Sequence, residues 1–209
     1  IQKSLIEELQ IEELLDLSVK EPEERNKAII YSESPKPRNS NLVRNEELNF
    51  NTKVNLLEHL LSSDESMTKV WIFAATKSLA DQLYDQLIEK FPDIVGVIHS
   101  NKEQNYRFNT VNQFKAGVFK YIIATDVMAR GIDVAEVTHV INFDTPDVPE
   151  NYIHRIGRTG RAGKLGTSIV IVTKSELRKI SSIERIIKQK FEEKTIPSGI
   201  EICEIQLLH

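Results

Sequence analysis

The sequence predicts an open α/β fold in which helices cover both faces of a parallel β-sheet. From residue 46 onward, short apolar runs and longer segments with helical spacing alternate five times. The apolar runs, such as KVWIFAAT and GTSIVIVT, are continuous rather than alternating, which is typical of strands buried on both faces. Strands of this kind that alternate with helices form parallel sheets with helices on either side.

Each predicted strand and helix corresponds to a segment that can be identified in the sequence. We expect strands in KVWIFAAT, IVGVIHS, FKYIIATD, VTHVINFD and GTSIVIVT. We expect helices in NTKVNLLEHLLSS, KSLADQLYDQLIEKF, EQNYRFNTVNQFKAG, PENYIHRIG and SELRKISSIERIIKQKF. Asn51 is the expected N-cap of the first helix, Gly117 closes the third, and Pro149 suits the start of the fourth. The regular domain is therefore predicted to span residues 46–209, and residues 1–45 form a distinct N-terminal segment in which KAIIYSES reads as a strand.

Composition limits the function classes. The chain of 209 residues has a formal net charge of −4 and contains one cysteine, Cys203. One cysteine excludes an internal disulfide framework and a multi-cysteine zinc site, and it agrees with a reducing, cytoplasmic location. No apolar run approaches the ~18 residues of a membrane span, and no signal peptide is visible. The negative charge argues against non-specific wrapping of nucleic acid, so any anion site must be local.

One segment concentrates positive charge. YIHRIGRTGRAG, at 152–163, contains His154, Arg155, Arg158 and Arg161, with no acidic residue among them. Arginines three residues apart are expected on one face of a helical turn. Guanidinium groups are permanently charged planar donors that suit phosphate oxygens. The segment is therefore a candidate phosphate site.

The remaining polar candidates follow the predicted strands. Parallel strands present their carboxyl ends at one edge of the sheet, where the ligands of open α/β folds bind. The polar residues expected at this edge are Thr76, Lys77, His99, Thr125, Asp126 and Asp144.

No element of the chain would hold a nucleoside triphosphate by itself. AGKLGTS resembles a phosphate-binding P-loop only weakly, because Arg158 stands where the first glycine belongs and Leu165 follows Lys164. There is also no D-E-x-D sequence to hold magnesium. The chain carries groups that suit phosphoryl transfer without the groups that bind the nucleotide and its metal.

Taken together, four motifs in order resemble the second RecA-like lobe of DEAD-box ATP-dependent RNA helicases, over about residues 46–195. VWIFAATK (70–77) resembles motif IV and HSNKEQNYR (99–107) resembles motif IVa. ATDVMARGID (124–133) resembles motif V and HRIGRTGR (154–161) resembles motif VI. The departures are mild, with Ser100 standing where glycine is more usual.

The resemblance implies a RecA-like domain of the P-loop NTPase-type helicases that works with a first lobe of the same polypeptide. ATP with Mg²⁺ and RNA are the implied ligands, with the metal held by the first lobe, and a monomer that contacts no membrane is expected. Residues 1–45 match poorly. They are either the end of the first lobe with the interlobe linker, or an extension.

For the nucleotide side, the resemblance assigns Arg158 and Arg161 as arginine fingers for the γ-phosphate and His154 as a residue that couples the lobes. Asp133 is implied to bind the ATP ribose, with a local turn as its alternative. Arg155 stays open between the RNA side, the lobe interface and an internal pair with an acid such as Asp144.

For the RNA side, the resemblance implies sugar–phosphate contacts that do not depend on base sequence. The implied residues are Thr76, Gln104, Arg107, Thr125 and Gly131. Lys77 is either a phosphate contact or a charge at a helix start, and Arg130 is expected to order motif V.

Two other functions compete with this interpretation. One is a helicase of the same superfamily that acts on DNA, although His154 and the RGID sequence favour RNA. The other is an RNA-binding module without catalysis, which would have no use for Arg158 and Arg161.

Overall fold

Seven parallel strands form one sheet in the part of the chain that this computed structural model describes, which is residues 27–32, 46–129, 132, 134, 137–161, 164–173 and 176–195. The predicted open parallel sheet is thereby confirmed. The strands are β1 (Lys27–Ser32), β2 (Val70–Phe73), β3 (Val95–Ile98), β4 (Tyr121–Ala124), β5 (His139–Asn142), β6 (Thr167–Val172) and β7 (Glu192–Thr195). Their order across the sheet is β3-β4-β2-β5-β6-β1-β7.

Helices cover both faces, as predicted. The described helices are α1 (Glu46–Ser63), α2 (Lys77–Lys90), α3 (Gln104–Lys115), the single turn α4 (Asp126–Ala129), α5 (Pro149–Ile156) and α6 (Leu177–Ile187). Helices α1 and α2 share an apolar cluster with one face of the sheet. On the opposite face, α3 and α4 pack over one half of the sheet, and α5 and α6 pack over the other. None of the helices in these ranges combines the length and apolar character that crossing a bilayer demands.

Strand β2 shows why its sequence is apolar throughout. Successive side chains of a strand point to opposite faces, so Val70 and Ile72 join the cluster under α1 and α2. Trp71 and Phe73 join the cluster under α3. The Trp71 ring is fully buried and meets the Phe114 ring edge-on at 5.7 Å. Trp71 is thus a core residue, as predicted, and burial of each such side chain is worth about 1.5–3 kcal/mol.

The first helix begins earlier than predicted. Asn51 is not its N-cap, because α1 extends from Glu46 and includes Asn51. The Phe50 ring, which precedes Asn51, packs edge-on against Phe143 at 6.0 Å. This apolar contact extends the helix beyond the start that the polar residue indicates. Gly117 follows α3 with a φ of 78°, in the left-handed region that terminates helices.

The sheet also includes a strand from the N-terminal segment. Strand β1 lies between β6 and β7 and pairs with both in parallel. The folded unit therefore contains at least Lys27–Ser32 of the segment that precedes residue 46, and the origin of that segment stays a prediction.

Strand β7 was not predicted, because its sequence EEKT has no apolar run. Among the described strands it lies at the end of the sheet, with β1 as its neighbour.

A buried histidine makes the stability of the fold depend on pH. Burial lowers the pKa of His139, and Asp64 offsets this effect only in part. The unfolded chain, in which a histidine has a pKa near ~6.5, therefore takes up a proton more readily than the folded chain. We expect the free energy of unfolding to fall as the pH falls from about 7 through ~6.5. Urea denaturation at several pH values should show a smaller fall for His139→Leu, and identical pH profiles for both proteins would contradict this account.

Candidate functional site

The polar residues that follow the strands lie along one edge of the sheet. Because all described strands are parallel, the residues after β2, β3, β4 and β5 share the carboxyl edge. Thr76, His99, Thr125 and Asp144 follow these four strands, so the topology places them as the sequence indicates. The order β3-β4-β2-β5 puts the Thr125 segment next to the Thr76 segment.

Thr76 and Lys77 begin α2. The exposed Thr76 is the N-cap, and its hydroxyl oxygen accepts a hydrogen bond from Leu79 N at 3.1 Å. Capping uses the oxygen as an acceptor, so the hydroxyl hydrogen can still be donated to a ligand. Lys77 Nζ donates to Asn101 Oδ1 at 2.9 Å, which links α2 to the loop before α3.

Gln104 and Arg107 form a pair on the first turn of α3. Arg107 Nη1 donates to Gln104 Oε1 at 2.8 Å. Gln104 is exposed, whereas Arg107 is partly buried and its Nε has no hydrogen-bond partner among the described residues. The pair presents a cation and an amide together, which is suited to a phosphate or a ribose.

His99 has a structural role that the sequence did not specify. Its Nδ1 accepts a hydrogen bond from Asn101 N at 3.3 Å, so its Nε2 carries the hydrogen and donates to Asp81 Oδ1 at 2.8 Å. Lys102 Nζ also lies 2.9 Å from Asp81. Burial raises the pKa of Asp81, but the hydrogen bonds from Lys102 and His99 outweigh it and the net pKa is lowered. These contacts join α2 to the loop that leads to Gln104.

Thr125 immediately precedes the single turn α4, which begins at Asp126. Thr125 is 8% exposed, and its carbonyl accepts hydrogen bonds from Met128 N and Ala129 N, both at 3.1 Å. Asp126, the first residue of α4, is partly exposed. The segment thus has a defined backbone at the point where β4 ends.

Arg155 is buried and forms an internal ion pair. It is 2% exposed, and its Nε and Nη2 donate to the two carboxylate oxygens of Asp126 at 2.6 and 2.8 Å. Its Nη1 donates to Asn142 Oδ1 at 3.1 Å and to the Asp144 carbonyl at 2.8 Å. The guanidinium also lies 5.1 Å from the centre of the Phe73 ring. Of the three possibilities left open for Arg155, the structure supports the internal pair, with Asp126 rather than with the Asp144 carboxylate.

The helical face predicted for the arginines is wrong, because α5 ends at Ile156. Arg155 lies in the last helical turn, whereas Arg158 and Arg161 lie in the segment that follows the helix. Arg158 Nη1 donates to the Ile132 carbonyl at 2.7 Å, and Arg161 Nε donates to the Gly157 carbonyl at 2.6 Å. Both side chains are partly buried. Arg155 is therefore buried in the interior, whereas Arg158 and Arg161 lie closer to the surface.

His154 precedes this buried arginine. Its side chain is partly buried in the last turn of α5 and makes no hydrogen bond to a residue that the structure describes. The position of His154 is therefore compatible with a contact to another protein segment.

Close packing holds the segment of Arg158 and Arg161. The Thr159 hydroxyl donates to the carbonyls of Val137 and Thr138. A Cβ on Gly166 would lie 2.4 Å from Thr159 Oγ1 and 2.6 Å from Gly160 N. Position 166 therefore requires glycine, since any side chain would displace the turn between the two arginines.

Comparison with known proteins identifies the family of the chain. The helicase conserved C-terminal domain family matches residues 52–163. The DEAD-box ATP-dependent RNA helicase CshA of Geobacillus kaustophilus is 39% identical over 160 residues, which cover 77% of this chain and 34% of that protein. The chain belongs to the DEAD-box helicases, as a C-terminal lobe.

Solved structures of DEAD-box proteins have the same fold. The C-terminal domain of the DEAD-box protein Dbp5 matches with a TM-score of 0.70 and 27% identity, over 89% of this chain and 99% of that domain. Domain 2 of the DEAD-box helicase Mss116p, bound to an RNA duplex, matches with a TM-score of 0.67 and 28% identity, over 88% and 68% of the two chains. This lobe spans about a third of the length of CshA, at 34%.

The described residues of the DEAD-box lobe do not fit a magnesium site. No group of three or more histidine, cysteine, aspartate or glutamate side chains in the described ranges could hold a metal ion. Two carboxylates that follow β4 and β5, Asp126 and Asp144, are engaged within the protein. Asp126 accepts both hydrogen bonds from Arg155, and Asp144 accepts a hydrogen bond from Ala75 N at 3.0 Å.

Three residues of motif V lie outside the described residues: Arg130, Gly131 and Asp133. Their predicted roles therefore stay predictions.

Two residues that bind Arg155 were not given a role from the sequence. Asp126 was expected at the carboxyl edge without a role, and Asn142 was not selected. A carboxylate beside a predicted RNA contact was the available signal for Asp126, whereas Asn142 lies within an apolar strand and has no such signal.

Proposed function

We propose that this chain is the second lobe of an ATP-dependent RNA helicase, an enzyme that uses ATP hydrolysis to separate short RNA duplexes locally. In this proposal Arg158 and Arg161 act on the γ-phosphate of an ATP molecule whose triphosphate is bound by a first lobe of the same polypeptide. The observation that carries it is the direct contact of HRIGRTGR with ATDVMARGID, in which Arg155 binds Asp126 and Arg158 donates to the Ile132 carbonyl at 2.7 Å.

The role of the arginines follows from charge. The transition state of phosphoryl transfer spreads negative charge over the phosphoryl oxygens, and planar cationic donors stabilise it. Arg158 and Arg161 are partly buried and held by backbone carbonyls, so their positions are restricted before the lobes meet. His154, which precedes the buried Arg155, is proposed to contact the first lobe.

The RNA side is proposed to consist of Thr76, Gln104, Arg107, Thr125 and Gly131. The hydroxyl hydrogen of Thr76 and the Gln104–Arg107 pair offer donors for the sugar–phosphate backbone. Contacts of this kind position a strand without selecting its sequence, and contacts to the 2′-hydroxyl distinguish RNA from DNA. In the same way, Asp133 is proposed to bind the ribose of ATP.

Each ligand contacts both lobes in this proposal, so each favours the closed state and strengthens binding of the other. Closure brings Arg158 and Arg161 to the γ-phosphate while the bound RNA strand is bent, which disrupts a short duplex. A single copy of the chain, with its first lobe, is sufficient.

The experiment compares the isolated chain with the two-lobed protein. We expect no ATP hydrolysis above background from the pure chain, because it has no P-loop. The two-lobed protein should hydrolyse ATP faster with single-stranded RNA than with DNA of the same sequence, and it should unwind short RNA duplexes. ATP turnover by the isolated chain would contradict the proposed division of labour, and equal stimulation by DNA would favour the DNA helicase.

A further inference from the structure

The Arg155 guanidinium joins three segments of the carboxyl edge. It is nearly fully buried, it binds both oxygens of Asp126, and it donates to the Asp144 carbonyl. The segments it holds are the start of α4, the end of β5 and its own helix α5. A bidentate pair between guanidinium and carboxylate fixes distance and orientation together.

Two of these segments lead directly to threonines on the proposed RNA side. Asp126 is the residue that follows Thr125. Asp144, whose carbonyl binds Arg155, also accepts a hydrogen bond through Oδ2 from Ala75 N at 3.0 Å, and Ala75 precedes Thr76. Thr125 is therefore linked to the Arg155 guanidinium through its neighbour Asp126. Thr76 is linked to it through Ala75 and Asp144.

The third segment leads to the arginine fingers. Arg155 lies three residues before Arg158, and the Arg158 backbone N–H donates to the Arg155 carbonyl at 3.2 Å. The Arg158 side chain binds the carbonyl of Ile132, in the segment that follows α4. The α4 region and the finger segment are therefore connected twice, once through Asp126 and Arg155 and once through Ile132 and Arg158.

We propose that Arg155 and Asp126 are positioning residues through which RNA bound at Thr76 and Thr125 sets the position of Arg158. This rests on the proposed function. A shift of the Thr125 segment strains the charge-assisted pair of Asp126 with the buried Arg155, and displacing one partner of such a pair is costly. A shift of the Thr76 segment strains the Ala75–Asp144 hydrogen bond, and Asp144 in turn binds the same guanidinium. The contact network therefore favours joint movement of the RNA side and the finger segment.

Asp126→Asn in the two-lobed protein tests the proposal, because it keeps the shape of the side chain and removes the charge. The measured quantity is the RNA stimulation factor, the ratio of kcat with saturating single-stranded RNA to kcat without RNA. We expect the substitution to lower this factor by about fivefold or more, as coupling free energies between sites imply. The same substitution should lower, by a similar factor, the extent to which a non-hydrolysable ATP analogue tightens RNA binding.

Arg155→Lys provides a second variant, since it keeps the charge and loses the bidentate geometry. The loss of stimulation should be similar, and the combination with Asp126→Asn should not add a further full loss, because the two residues act through one contact. Glu184→Gln is the matched control. Glu184 is a partly buried carboxylate on α6 that pairs with Lys190 at 2.6 Å and accepts a hydrogen bond from Phe191 N at 3.1 Å, and its described contacts include none of the residues that link Arg155 to the threonines.

The outcomes separate the possibilities. A lower stimulation factor for Asp126→Asn but not for Glu184→Gln, with RNA affinity in the absence of nucleotide changed less than about twofold, supports the coupling role. An unchanged factor, or equal losses in both variants, overturns it in favour of a purely structural pair. If the unmodified two-lobed protein shows no stimulation by RNA, the proposed function fails first and the coupling fails with it.

Discussion

Substitution of Arg158 or Arg161 by lysine should reduce the RNA-stimulated kcat of the two-lobed protein by about 10³-fold or more, the size of effect that arginine fingers have. Lysine keeps the positive charge, but it loses the planar set of donors that contacts several phosphoryl oxygens at once. The measurement is steady-state ATP hydrolysis with saturating RNA, together with RNA affinity by fluorescence anisotropy.

The expected pattern is a large loss in kcat with an RNA affinity that stays within about twofold, because the proposed RNA contacts lie on other segments. Arg178→Lys is the control, since Arg178 is an exposed arginine on α6. A kcat that remains within about tenfold of the unmodified protein in both finger variants would contradict the assignment.

Substitution of Arg155 by methionine should destabilise the chain by about 3–5 kcal/mol, because it leaves a partly buried carboxylate without its cation. Asp126 would lose both of its hydrogen bonds to the guanidinium, and Asn142 and the Asp144 carbonyl would lose one each. Since domains of this kind are stable by about 5–15 kcal/mol in total, the loss is a large fraction of the stability. Urea denaturation gives the free energy of unfolding directly.

The control for this prediction is Arg185→Met, at an exposed arginine on α6, which should change the stability by less than about 0.5 kcal/mol. Adding Asp126→Asn to Arg155→Met should restore part of the loss, because the uncompensated charge is removed. A loss below about 1 kcal/mol for Arg155→Met would show that the buried pair contributes little.

Residue spacing alone could not separate the roles of the motif VI arginines, and the family resemblance, which assigned Arg158 and Arg161, left Arg155 open. Arg155, Arg158 and Arg161 are equally spaced, so periodicity places them on one helical face and treats them alike. The end of α5 at Ile156 and the position of Asp126 distinguish them. Asp126 is 29 residues away along the chain, and no local pattern indicates a pair at that separation.

The sequence pattern predicted most strands of the sheet but not the edge strand β7 or the pairing of β1. Continuous apolar runs identified the strands β2 to β6 because burial on both faces requires apolar side chains at every position. The polar strand β7 has no such requirement at the edge, and the place of β1 between β6 and β7 depends on long-range pairing. The start of α1 was misplaced because the contact of Phe50 with Phe143 is tertiary.

The parallel α/β architecture, the family and the segment that carries Arg158 and Arg161 could be predicted from the amino-acid sequence, because burial periodicity and short motifs are local properties. That Arg155 is internal, that Asp126 is its partner and that His99 holds the loop before α3 became clear from the folded chain. Those outcomes depend on which strand ends are neighbours in the sheet, and hydrogen bonds between neighbours distant in sequence leave no periodic signal in the chain.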